Sequence, residues 1–175
     1  MKKYAIDFSH STIGFSVQHM MVSRIYGTFE SYSATLAATD IKDMLDAQIS
    51  FSIAVASIST KNFDRDVHLV SPDFFDADRY PKITFVSTKV EKIEENLFAL
   101  YGDLKIKNTT KPVVFNTTYT GSAINPWGQE VHRFQAKTQI DRRAFKLVYN
   151  TLLETGGVLI SDEIDINVEL EVNPV

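Results

Sequence analysis

Apolar and polar residues alternate with a period of two along most of the chain, and each such run predicts a half-buried β-strand. Ile13, Phe15 and Val17 alternate with Gly14, Ser16 and Gln18. Ile49, Phe51, Ile53 and Val55 form a row opposite Ser50, Ser52, Ala54 and Ala56. Further rows are Ile83, Phe85 and Ser87, then Leu104 and Ile106, then Val113, Phe115, Thr117 and Tyr119, then Phe134, Ala136, Thr138 and Ile140. The last is the most regular: Ile164, Ile166, Val168, Leu170 and Val172 face away from Asp165, Asn167, Glu169 and Glu171. Residues 27–36 alternate less cleanly but are rich in Thr, Phe and Tyr, and Gly27 is expected to bend or bulge that strand at its start. Residues 37–46 read as a connection, residues 91–96 as a charged turn, 108–112 as a turn entered through Asn108, and 121–128 as a loop holding the only Trp. Residues 141–150 predict a loop or short helical piece, which Gly156 and Gly157 end.

One stretch breaks this rhythm. Phe63, Val67 and Val70 lie at i, i+4 and i+7, which predicts a short helix with those residues on its buried face and Asn62 as its cap. A second turn follows: Ser71 suits an N-cap, Pro72 the first helical position, and Asp73 the positive end of the dipole. Phe74 and Phe75 fall where that turn must bury something, and Pro81 pushes Tyr80 towards the extended geometry that opens the next strand.

Strands at short spacing, with one apolar face each and a single helical insert at residues 62–76, predict an all-β chain. The expected architecture is an extended, eight-stranded antiparallel β-barrel, in which closure leaves no exposed edges, and the insert is expected to cover one mouth. Neither a repeat nor a linker divides the 175 residues, so a single domain over 1–175 is expected. Composition fits a large apolar interior: 44% of residues are hydrophobic and twelve are Phe. A net charge of −4 with mixed signs argues against a nucleic-acid surface, and apolar runs of a few residues argue against stable membrane insertion. There is no Cys for a disulfide, a thiolate metal site or a nucleophile. Lys2 and Lys3 are followed by YAIDFSHST instead of an apolar run, so a cytoplasmic protein is expected.

Little in the chain suggests an enzyme. His10 and Ser11 are adjacent on an extended segment and point apart. Asp64, Asp66 and His68 imitate a metal-ligand spacing, but i, i+2 and i+4 do not converge on one helix face, so neither metal nor cofactor is expected. His132, beside Arg133, reads as a solvated turn residue. His19 continues the row of Ile13, Phe15 and Val17, so it is either satisfied by a neighbour at a barrel rim or a polar contact for a ligand headgroup. Arg142 and Arg143 are either surface charge or partners for an anionic headgroup.

In sum these positions resemble the YceI-like family. Asp7-Phe8-Ser9-His10-Ser11, Phe15-x-Val17-x-His19 and Gly27-x-Phe29 match its opening pattern. Asp66-x-His68-Leu69-x-Ser71-Pro72-Asp73-Phe74-Phe75-Asp76 with Tyr80-Pro81-x-Ile83-x-Phe85 is the most specific match. Thr110-x-Pro112-Val113, Pro126-Trp127-Gly128, Arg142-x-x-Phe145 and Asn150 continue it. Asn108, Asn125, Ala144, Lys146 and Ser161 depart from the pattern, Lys146 standing where a Gly is expected. The resemblance implies a lipocalin-like barrel that shields a long-chain isoprenoid, quinone tail or other lipid. Its expected ligand-binding residues are Phe15, Val17, His19, Phe29, Phe51, Ile53, Phe74, Phe75, Phe85, Trp127 and Arg142. A homodimer is compatible with this reading. The alternatives are an enzyme using His19 or His68 as acid/base, and a ligand-free structural or stress-related module.

Overall fold

The structure is a computed structural model, and residues 1–150 and 159–175 are described. In chain order its elements are β1 (Lys2–Ile6), β2 (Thr12–His19), β3 (Ser23–Phe29), β4 (Tyr32–Ala38), β5 (Gln48–Ala54) and β6 (Ile58–Ser59). After these come α1 (Phe63–Leu69), β7 (Lys82–Glu94), β8 (Leu97–Ile106), β9 (Thr109–Ile124), β10 (Glu130–Asp141) and β11 (Ile160–Pro174).

Every strand pairs antiparallel with its neighbours, and the sheet closes because β11 pairs with both β2 and β1. The barrel has eight staves. Three of them are broken: β1 runs into β2 through a short 3-10 turn, β3 into β4 across Glu30 and Ser31, and β5 into β6 through a second 3-10 turn. Each pair of fragments stays in line because β1 pairs β4 where β2 pairs β3, and β5 pairs β4 where β6 pairs β3. The first break is held by Asp7, whose carboxylate accepts from the backbone N–H of Ser9. Alternation in the sequence survives these breaks, since each fragment resumes with its apolar side inward.

The expected bulge at Gly27 is absent: Gly27 pairs regularly with Phe15 inside β3. Its role is spatial, as described below. The turn after β8 also differs from expectation, because Lys107, not Asn108, takes the left-handed conformation (φ 56°) and Pro112 already lies in β9 opposite Asp103. Lys146, closing the 3-10 turn at Arg142–Phe145, has φ 66°, the geometry of the glycine it replaces in the pattern.

The two ends are closed differently. One carries the β2–β3 turn, α1 and residues 142–150. The other carries residues 39–47, whose Ile41, Met44 and Ala47 are buried and plug it. Helix α1 forms where expected, with Asn62 Oδ1 accepting from the Arg65 N–H at 3.0 Å. Of the expected buried side only Val70 holds. Phe63 and Val67 are exposed, while Leu69 and Val70 pack on the core and Phe74 behind them is buried. Asp66 explains this: its Oδ1 accepts from Thr60 N and Oγ1 at 2.9 and 2.6 Å, which rolls the helix so that a polar residue faces the rim. The Gly156-Gly157 expectation lies outside the described residues.

Candidate functional site

Inward-facing residues of all the long staves surround a cavity of about 190 Å³ along the barrel axis. Its walls are apolar: Phe51, Ile53, Phe85, Leu104, Phe115 and Ile166 are typical. Among the described residues that line it, only Thr117 and Arg142 have polar side chains. No carboxylate, histidine, lysine or serine of the described residues lines it, so it offers no acid/base pair. Water gains little there, since a buried water needs two to four polar partners.

Phe15, Phe29, Phe51, Ile53, Phe74, Phe75, Phe85 and Arg142 are all brought to this cavity. Phe74 and Phe75 reach it from the insert: Phe75 meets Phe29 edge to face at 6.2 Å, and Phe29 in turn meets Phe15 at 5.7 Å. Phe15, Phe51 and Phe75 are only half-buried although they point inward, because part of each ring faces the empty space. Three other residues stand apart. Val17 is buried nearer the rim, His19 lies half-buried at the end of β2 beside the turn, and Trp127 is 84% exposed in the β9–β10 turn at the plugged end. Trp127 points outward because Asn125 Oδ1 accepts from the N–H groups of Trp127 and Gln129 and closes that turn tightly.

Arg142 lines the cavity but its guanidinium is already engaged. It donates through Nε to Ser161 O at 2.9 Å, through Nη1 to Leu147 O and Tyr149 O at 2.6 and 2.9 Å, and through Nη2 to Ile160 O at 3.4 Å. Asp162 lies 3.7 Å from Nη2, and burial pulls the guanidinium down from its ordinary pKa while this carboxylate opposes the shift. Arg142 therefore pins residues 142–150 to the start of β11. Asn150 adds to the clamp, donating from Nδ2 to Ile160 O and accepting from Ile160 N.

That segment meets the insert across the mouth. The rings of His68, Phe74 and Tyr149 pack mutually edge to face with centroids 4.9–5.1 Å apart, and His68 Nε2 lies 2.8 Å from Asp73 Oδ2. The imitation metal triad is thus dispersed, Asp66 holding Thr60 and His68 holding Asp73. A group with metal-ligand donors does occur elsewhere, on the outer wall: Asp7, His10 and Glu171. There Asp7 is lowered by hydrogen bonds from Ser9 and His10, and His10 is raised by its hydrogen bond to Asp7, so the group is knit together by its own protons.

His132 is not a turn residue: it is buried on β10 near the plugged end, with Nδ1 2.9 Å from the Tyr119 hydroxyl. Burial lowers its pKa from 6.5, against the raising effect of Glu130 at 3.7 Å. A place in the row His132, Phe134, Ala136 was its sequence signal, overridden by the neighbouring Arg133.

Residues 4–172 match the model of the YceI-like domain. The chain belongs to the YceI-like family. A UPF0312 protein of Staphylococcus epidermidis is 37% identical over 172 residues, spanning 98% of this chain and 97% of that one. A UPF0312 protein of Staphylococcus aureus is 33% identical over the same shares. The Campylobacter jejuni YCEI protein superimposes with a TM-score of 0.75 at 34% identity, covering 99% and 98% of the two chains. Two structures agree in fold alone: Burkholderia cenocepacia BcnA (TM-score 0.82, 23% identity, 95% and 99% covered) and a polyisoprenoid binding domain from Saccharophagus degradans (0.73, 12%, each chain covered in full).

Proposed function

We propose that this barrel binds and shields a long, uncharged apolar molecule of isoprenoid or quinone-tail type, as carrier or store, and is not an enzyme. The observation that carries the reading is a water-poor lumen in which the one cationic side chain among the described residues, Arg142, is spent on backbone carbonyls. An anionic headgroup inside would be desolvated with no free partner, which is costly. The YceI-like fold shared with a polyisoprenoid binding domain supports the same class of ligand.

Magnitudes restrict the length. Each buried CH₂ contributes roughly 0.8 kcal/mol, against about 4 to 15 kcal/mol lost on association, so useful affinity needs a chain of about fifteen carbons or more. The 190 Å³ present in this structure is short of that. An apolar cavity of about 150 Å³ takes benzene, and pockets for larger ligands span about 300–1,000 Å³. A longer occupant gains its room from the half-buried rings of Phe15, Phe51 and Phe75, which border empty space, or passes out between Phe74 and Tyr149.

Organic extraction of the purified protein followed by mass spectrometry tests this. A neutral, hydrocarbon-rich compound at about one per chain is the expected result; a protein that yields none and takes up none from detergent solution would refute the reading.

A further inference from the structure

Two glycines of the wall sit under phenylalanine rings. A Cβ on Gly27 would lie 2.2 Å from Cζ of Phe15 and under 3.0 Å from two further atoms of that ring. A Cβ on Gly102 would lie 2.3 Å from Cζ of Phe85 and 2.7 Å from the carbonyl oxygen of Val86. Neither glycine has the positive φ that would demand glycine for the backbone. Gly27 sits in a regular ladder directly across from Phe15, and Gly102 lies across from Ser87, two residues after Phe85 and just before the register of β7 and β8 shifts between Ser87 and Lys89. What each position lacks is a side chain, and the ring occupies that volume.

We infer that Gly27 and Gly102 are recesses in the barrel wall that take up the Phe15 and Phe85 rings, and so set the free width of the lumen and the thickness of chain it admits. Both rings border the cavity. With a methyl group beneath it, either ring can move only away from the wall, which is towards the axis. At Gly27 the effect spreads to the mouth, because Phe15 touches Phe29 and Phe29 touches Phe75 of the insert. At Gly102 it reaches Phe115, which meets Phe85 edge to face at 5.4 Å. The consequence for ligand binding rests on the function proposed above; the recess itself does not.

Gly27→Ala is the cleaner test, since the three atoms nearest the added methyl all belong to the Phe15 ring, whereas for Gly102→Ala one of them is backbone. Xenon is the first probe, because it enters dry apolar cavities whatever their biological ligand. The expected results are lower xenon uptake by Gly27→Ala than by wild type, and recovery in Phe15→Ala/Gly27→Ala, which removes the clashing ring and also serves if the single variant fails to fold. Titration with the neutral fluorophore N-phenyl-1-naphthylamine is the second probe, and Gly27→Ala is expected to bind about tenfold more weakly, the loss when roughly two methylenes of ligand lose their place. Xenon uptake in folded Gly27→Ala equal to wild type, or uptake in the double variant no higher than in Gly27→Ala (below wild type where the single variant does not fold), overturns the recess. Xenon uptake that falls as expected, with no fluorophore bound by any variant including wild type, upholds the recess and overturns the ligand reading instead.

Discussion

At the scale of single residues, the two histidines with shifted titration pull stability in opposite directions. His132 is held neutral by burial, its pKa lowered from 6.5, so the unfolded chain binds the extra proton first and stability falls as pH drops through and below about 6.5. His10 is raised by Asp7, so its contribution is fully present below about 6.5 and is lost as pH rises through the higher folded value. Urea midpoints measured from pH 5 to 8 should therefore show a flatter acid limb for His132→Gln and a loss confined to the acid side for His10→Asn. A different residue effect is expected at Lys146. Its φ of 66° is unfavourable for a side chain, so Lys146→Gly should raise stability by about 1 kcal/mol in denaturant unfolding. Phenylalanines report on hollowness. Phe98 is 1% exposed and lies off the cavity, so Phe98→Ala should cost about 3–5 kcal/mol. Phe51→Ala should cost clearly less, because its ring already faces empty space and leaves a smaller new void. Equal losses at the two positions would speak for a solid core.

At the scale of elements, the strands were legible because a strand that faces a core on one side must alternate, and Ile49 to Val55 or Ile164 to Val172 could hardly do otherwise. The insert was legible as a helix with an Asn62 cap, and Phe74 and Phe75 as its inward-facing pair, Phe74 buried and Phe75 half-buried. Its orientation was not, because periodicity names a face without naming what else competes for it; here the Asp66 bonds to Thr60 decide. The same limit applies elsewhere. Arg142 looks identical in sequence whether it meets a headgroup or four carbonyls, and Trp127 looks like a lining residue until the Asn125 turn directs it outward. Gly27 signalled a special backbone when the need was for missing volume. Testing the element directly, Asp66→Asn should loosen α1 from the rim, seen as faster amide exchange across residues 63–70 with β8 and β9 unchanged, while Asn62→Ala should cost about 1 kcal/mol of overall stability.

At the scale of the whole molecule, closure and emptiness go together. Eight staves form a barrel just wide enough to be filled by side chains or to hold one ligand, and small wall positions decide between those outcomes. The lumen runs from a plug at Ile41 and Met44 to a mouth where the rings of Phe74 and Tyr149 meet. Among the described residues no helix is long and apolar enough to cross a membrane. The central claim, a neutral chain held in an apolar lumen, is tested most directly by native mass spectrometry of the delipidated protein offered an equimolar mixture of a long-chain prenol and a fatty acid of matching carbon number at pH 7.5. One prenol per chain, in clear excess over the fatty acid, is the predicted result. Preferential uptake of the fatty acid, or no adduct with either, would contradict it.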